Sequence, residues 1–149
     1  MAIETEQLKL RKKLDYLHVI SEGKLSIYSN YLTEIDYLRQ GLTTSGLQAF
    51  ADLLNWELTT VAKAVGTTKR TLIRNKAKRL NKQVSENALD VARLSTFGMK
   101  YFGSVNDWNL WLDTPKAEFN NQPPRSFINS IRGRELIKEA INALKFNFT

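Results

Sequence analysis

The sequence predicts an all-helical protein built in two halves, and three observations carry that prediction. Apolar residues recur at the helical period: Leu47, Phe50, Ala51 and Leu54 stand at i, i+3, i+4 and i+7, and Leu136, Ile137, Ala140, Ile141 and Leu144 repeat a similar stripe near the end. The two-residue alternation of a strand is hard to find. Between the stripes stand side chains able to cap a helix start and glycines able to close a helix end, so the punctuation agrees with the period.

The first forty residues form an N-terminal arm, 1–40, expected to be partly helical or flexible. Leu10, Leu14 and Leu17 suit one short helical face, and Leu32, Ile35 and Leu38 suit another. Leu25 to Tyr31 between them is ambiguous and could be extended.

From 41 to 102 the chain reads as a helix-turn-helix domain. Thr44 or Ser45, Asn55, Thr68 and Ser85 are candidate caps, because their side-chain oxygens can take an otherwise unpaired backbone N–H; Gly41 and Gly66 are candidate helix ends. Leu58 to Val65 predicts a short helix with Leu58, Val61, Ala62 and Val65 inward. Gly66-Thr67 turns the chain, and Thr68 to Leu80 predicts a second helix. Ala62 is small enough for a close helix crossing, Gly66 permits the tight turn, and Leu72 returns to the core.

Residues 103–149 predict a small helical domain of different character. Phe102 to Gly133 carries Trp108, Trp111, Pro115, Pro123 and Pro124 in a pattern of short helices and turns. Ser104 is a candidate cap, Gly103 and Gly133 are candidate helix ends, and Pro124 is placed to open a helix because its fixed φ suits a first turn.

Charge points to a partner. The stretch from Leu58 to Ser85 holds Lys63, Lys69, Arg70, Arg74, Lys76, Lys78, Arg79 and Lys82 and no Asp or Glu. Taking these eight from the 22 Lys and Arg leaves 14 against 15 acids, so the net charge of +7 comes from one segment. Such concentration is the electrostatic footprint of a protein that meets a polyanion; the bland alternative is a solvated helix face. Advancing about 100° per residue puts Leu72, Ile73, Lys76, Ala77 and Leu80 on one side of the second helix and Arg70, Thr71, Arg74, Asn75 and Lys78 on the other.

That outer face has the chemistry a major-groove reader needs. Arg pairs with guanine edges, Asn with adenine, and Lys or Thr with phosphates. With Thr67, Thr68 and Lys69 from the turn, it makes up the candidate surface for double-stranded operator DNA, and Arg70 and Arg74 are the base-reading candidates. Lys69, Lys76 and Arg79 sit nearer the boundary, where their stems can cover apolar surface. Arg74 has a competing role, pairing with Glu86 or Asp90. A single helix-turn-helix rarely makes enough contacts for an operator, so a homodimer is expected.

Other classes are poorly served. Cys is absent, which excludes disulfides and thiolate metal sites; the single His is His18, and neither a phosphate-cradling Gly loop nor HExxH is present. Neither catalysis, a metal nor a cofactor is expected. The N-terminus lacks a signal-like apolar core, and no run of apolar residues reaches membrane-spanning length. A cytoplasmic protein with no membrane partner is therefore expected.

Order and interval in the second half resemble a known pattern. Phe102-Gly103, Trp111-Leu112-Asp113-Thr114-Pro115, Phe119, Pro124, Ile128, Ser130 and Gly133 are similar to the toxin-binding domain of Xre–MbcA–ParS antitoxins. Upstream, Ile35 to Leu42, Thr71-Leu72 with Arg74, Arg79-Leu80, and Ser85-Glu86 through Arg93-Leu94 resemble the Xre-like helix-turn-helix half of antitoxins paired with RES-domain toxins. The likeness covers roughly residues 35 to 145. It implies a bacterial type II antitoxin that binds a RES-domain, NAD-consuming toxin and represses its own operon. Trp111 and Leu112 are expected to be core anchors rather than contacts. The chain departs from the family at its end, which lacks the usual glycine, and at Asn87 and Ala88, where acidic and basic residues are common.

The ending nevertheless suggests a toxin contact. Phe146 and Phe148 alternate within Lys145, Phe146, Asn147, Phe148 and Thr149, and exposed aromatics are costly unless covered. These five residues are the candidate toxin-binding tail; the alternatives are packing on the protein's own core or in a dimer contact. A DNA-binding regulator with no toxin partner is the competing reading of the whole chain.

Overall fold

The computed structural model describes residues 15–147. The candidate helix residues Leu10 and Leu14 and the tail residues Phe148 and Thr149 lie outside that range. Among the described residues the protein is all-helical, with two isolated backbone bridges and no strand. The helices are α1 (Tyr16–Ile20), α2 (Tyr31–Gln40), α3 (Thr44–Leu53), α4 (Leu58–Val65), α5 (Lys69–Arg74), α6 (Lys82–Phe102), α7 (Val105–Asp113) and α8 (Ile131–Asn147), with 3₁₀ turns at Ala117–Phe119 and Pro124–Phe127. None is long and apolar enough to cross a membrane. The chain divides into two compact units, one ending at Thr96 and the other beginning at Phe97.

The first unit is organised around α3. The stripe Leu47, Phe50, Ala51 and Leu54 is wholly buried, and Phe50 meets Tyr16 and Trp56 edge to face at 5.7 and 5.6 Å. Gly46 lets α1 and α3 approach, because a Cβ there would stand 2.1 Å from the Ile20 carbonyl oxygen. The arm belongs to this core from Asp15 onward. Asp15 caps α1, accepting from His18 N–H at 3.2 Å and Ile27 N–H at 2.9 Å, and the Tyr16 N–H donates to Thr96 Oγ1 at 3.0 Å.

Several local expectations change. Leu25 is buried, but Leu25 to Asn30 is turn and irregular chain rather than strand, and Tyr31 opens α2. On α2, Tyr37 faces inward, whereas Leu32 and Ile35 are exposed, because the Glu34 carboxylate 2.6 Å from Arg93 fixes the opposite face against α6. The cap of α3 is Thr43, one residue before Thr44, through an oxygen that accepts from Gly46 N–H. Asn55 caps nothing; it takes a left-handed φ of 55° just after α3, and α4 follows Glu57 without a side-chain cap. Ser85 lies inside α6, whose first turn is capped by Asn81, its Oδ1 accepting from Val84 N–H at 2.8 Å.

The second unit is held by aromatic rings. Phe102, Trp108, Trp111, Phe119 and Phe127 form a chain of neighbours with centroid separations of 5.5 to 6.1 Å. Trp111 and Leu112 are buried, as core anchors should be. Gly98 seats Trp108, since a Cβ there would lie 2.5 Å from the indole. Gly133 does not end a helix: it sits in the first turn of α8, where a Cβ would fall 1.7 Å from the Phe127 carbonyl oxygen, so its role is close approach.

Candidate functional site

The basic segment is held from behind by α4 and α6. Val61, Ala62, Ala64 and Val65 bury the inner face of α4, and Gly66 closes it in the left-handed region at φ 82°. Asn87 Nδ2 donates to the Val65 carbonyl at 3.1 Å and so holds the end of this helix. Thr68 then caps α5, its oxygen accepting from Thr71 N–H at 3.1 Å and its hydroxyl donating to Thr71 Oγ1 at 2.9 Å.

The second helix is shorter than its sequence predicts. It covers Lys69–Arg74, and the chain from Asn75 to Lys78 is turn and bend, with the Lys78 N–H donating to the Asn75 carbonyl at 2.9 Å. The reason is a latch on the following residues. Leu80 N–H donates to the Leu42 carbonyl at 2.7 Å, Thr43 and Arg79 form an antiparallel bridge, and the Ser85 hydroxyl donates to Leu80 O at 3.3 Å while accepting from Leu42 N–H at 2.9 Å. Pairing Leu80 with Leu42 directs the chain away from a continued helix. Gly41 makes room, because at φ 90° a Cβ would stand 2.4 Å from the Leu80 carbonyl oxygen.

Six residues still define a face. Leu72 is fully buried, and about 100° per residue puts Arg70 and Arg74 roughly opposite it, within about 40° of each other. Lys69, Arg70, Arg74 and Lys78 are all exposed, while Thr67, Thr71 and Asn75 are half-buried. Among the described residues no carboxylate lies within 4.0 Å of Lys69, Arg70, Arg74 or Lys78. The alternative pairing of Arg74 with Glu86 or Asp90 does not occur; Asp90 stands 4.0 Å from Arg93 instead.

Other predicted members have structural work. The oxygens of Thr68 and Thr71 are engaged with each other, and Arg79 donates from Nη1 to the Gly41 carbonyl at 3.1 Å. The inward set was wrong in part: Ile73 is 57% exposed, and Lys76 and Ala77 are exposed as well. Ile73 and Lys76 instead border a groove of about 550 Å³ with Thr44, Gln48, Asp52 and Leu58. Periodicity could not find it, because the helix it assumed ends before Lys76.

The second unit holds the described part of the tail. Lys145, Phe146 and Asn147 form the last turn of α8. Lys145 Nζ lies 4.0 Å over the Phe97 ring, a cation–π contact inside the unit, and Phe146 is 77% exposed. No group of three or more His, Cys, Asp or Glu able to hold a metal ion occurs among the described residues. No family model matches the chain, and no curated protein matches it.

Proposed function

We propose that the chain is an antitoxin with a DNA-binding half: α4 and α5 act as an Xre-like helix-turn-helix on double-stranded operator DNA, and the helical domain after it binds and neutralises a RES-domain, NAD-consuming toxin. The observation that carries the DNA half is the outward, carboxylate-free group Lys69, Arg70, Arg74 and Lys78 on and after α5. Cations without partners cost no ion pair when they meet phosphate, and releasing counterions drives that contact. Arg70 and Arg74, side by side opposite the buried Leu72, are offered to base edges, and Lys69 and Lys78 to the backbone.

The toxin half is supported by the resemblance of the residues from Phe102 to Gly133 and by the exposed Phe146 in a tail, Lys145 to Thr149, that docks on the toxin. A cytoplasmic homodimer fits this role. The second reading is a regulator with no toxin partner, favoured by the fact that the basic surface needs no toxin to explain it.

One pair of measurements tests both halves. Arg70→Ala with Arg74→Ala should weaken binding to the DNA upstream of the chain's own gene by about 1–3 kcal/mol per lost base contact, read by fluorescence anisotropy at fixed salt. Coexpression with the adjoining gene product should show that the same double variant still co-purifies with it and still stops its NAD consumption. Unchanged DNA affinity removes the operator surface; operator binding with no protein partner leaves the regulator.

A further inference from the structure

We infer that the outward face of α2 is the surface on which two copies of this chain pair. The inference deepens the operator-binding reading and rests on it for purpose alone, since a two-fold dimer supplies the second recognition helix an operator needs. Its geometry comes from the first unit. Tyr28, Tyr31 and Leu32 are 87%, 83% and 75% exposed, with Ile27 and Ile35 beside them at 36% and 44%. Tyr31, Leu32 and Ile35 share one stripe of α2, and Tyr28 precedes it by one turn. The helix cannot roll to bury this stripe, because Tyr37 is inserted in the core and Glu34 is tied to Arg93 at 2.6 Å.

Area and charge both select a second copy. Aromatic side chains carry roughly 150–250 Å² each, so the two tyrosines, Leu32 and Ile35 together expose about 500 Å². Doubled by symmetry, that reaches the roughly 1,000 Å² floor of a specific interface. The face is also unsuited to DNA. Tyr31–Gln40 carries Glu34 and Asp36 against Arg39, in a chain whose net charge is +7. With Glu34 held by Arg93, one exposed charge of each sign remains, Asp36 and Arg39, 3.6 Å apart.

That arrangement is complementary to itself. When two copies of α2 cross antiparallel at Leu32, Tyr28 of one copy, four residues before the axis, comes beside Asp36 of the other, four residues after it, with Arg39 next to Asp36. A phenol O–H of the second copy can then donate to Asp36, and Arg39 can stand over its ring. A two-fold axis makes each contact twice. Leu32, between these ends, faces the second copy's Leu32 near the axis.

Sedimentation equilibrium of the full chain without DNA tests the pairing. The wild type is expected to be a dimer, and Leu32→Asp should raise its dissociation constant by at least about 30-fold, the effect of losing a central apolar anchor. Because Leu32 is exposed, far-UV circular dichroism should not change, and the melting midpoint should fall only by what the lost dimer contributed, becoming independent of protein concentration. The chain has no Cys, so Leu32→Cys under mild oxidation should give a covalent dimer.

A wild type that sediments as a monomer overturns the inference, and so does a Leu32→Asp variant that stays dimeric. Should the face be covered by a toxin, Leu32→Asp would lose the toxin while wild type alone remained monomeric, which also overturns it. The two readings fail separately: a dimer that ignores DNA leaves this interface standing, and a monomer that binds DNA through Arg70 and Arg74 removes only the interface.

Discussion

In the unit that begins at Phe97, several basic side chains are held from within. Arg125 grips Asp113 at 2.6 and 3.2 Å and reaches Asn109 at 3.0 Å; Arg134 is buried and donates to the Ile128 carbonyl; Arg132 pairs with Glu135 at 2.9 Å. Lys116 lies over Trp111, and Lys138 and Lys145 over Phe97. In the unit ending at Thr96, Arg93 and Arg79 are similarly occupied, yet among the described residues no carboxylate lies within 4.0 Å of Lys69, Arg70, Arg74 or Lys78. Both units are basic in sequence; the difference lies in how much cationic surface is left for something else to neutralise. A cation with a geometric partner stabilises its own fold modestly, whereas unpaired cations on one short helix raise the local potential and attract a polyanion.

The largest expected effect breaks the comparison in the second unit. Trp108 is fully buried, stacked on Trp111 at 6.0 Å and seated against Gly98. Trp108→Ala should cost about 3–5 kcal/mol of that unit's stability. Trp108→Phe should cost less, because among the described residues the indole Nε1 has no hydrogen-bond partner and only ring area is lost. Urea denaturation read through Trp111 fluorescence reports the second unit, and through Trp56 the first, with the other tryptophan replaced in each case. Equal shifts of both probes would mean that the two units do not fold as distinct bodies.

A smaller effect sharpens the comparison in the first unit. The Ser85 hydroxyl is fully buried between the Leu42 N–H and the Leu80 carbonyl. Ser85→Ala leaves a buried N–H unsatisfied, which costs about 1–3 kcal/mol. Because the same hydroxyl fixes the chain leaving α5, DNA affinity should fall with stability, measured on the same sample by anisotropy and denaturation. A stability loss with unchanged affinity would show that α5 presents its cations without the latch.

This latch also marks where sequence reasoning stopped. The α3 stripe, the bounds of α4, the caps Thr68 and Ser104, and the inward Trp111 and Leu112 were legible because each depends on neighbours within a turn or two. The length of α5 was not. It is decided by Leu42 and Ser85, 38 and five residues from Leu80, and no local period carries that pairing. Ser85 looked like a cap for the same reason: a serine is read as a local donor and acceptor, while this one closes a tertiary link. Gly133 was misread because its need is a close approach to Phe127, not a left-handed turn. On α2 the period was right, but of the expected face Leu32 and Ile35 are exposed and only Leu38 is half-buried, since Glu34 and Tyr37 orient the helix through Arg93 and the core. The outward placement of Arg70 and Arg74 was legible because charge and the position of Leu72 are both local facts.

The smallest expected effect concerns pH and again separates the units. Burial raises the pKa of Tyr16 above the ordinary phenol value, and it does the same for Tyr37, where Arg79 pulls downward and Glu22 pushes upward. Both residues stand in the first unit. A phenol whose folded pKa is raised keeps its proton after the unfolded chain has lost one, so the unfolded state binds fewer protons above about pH 10. Stability is therefore complete below that value and is lost as pH rises through it toward the folded pKa. Tyr37→Phe should flatten the alkaline slope of the first unit's unfolding free energy, read through Trp56, while leaving the neutral-pH slope unchanged. An unaltered slope in the variant would move the alkaline sensitivity to Tyr16, whose burial at the start of α1 predicts the same sign.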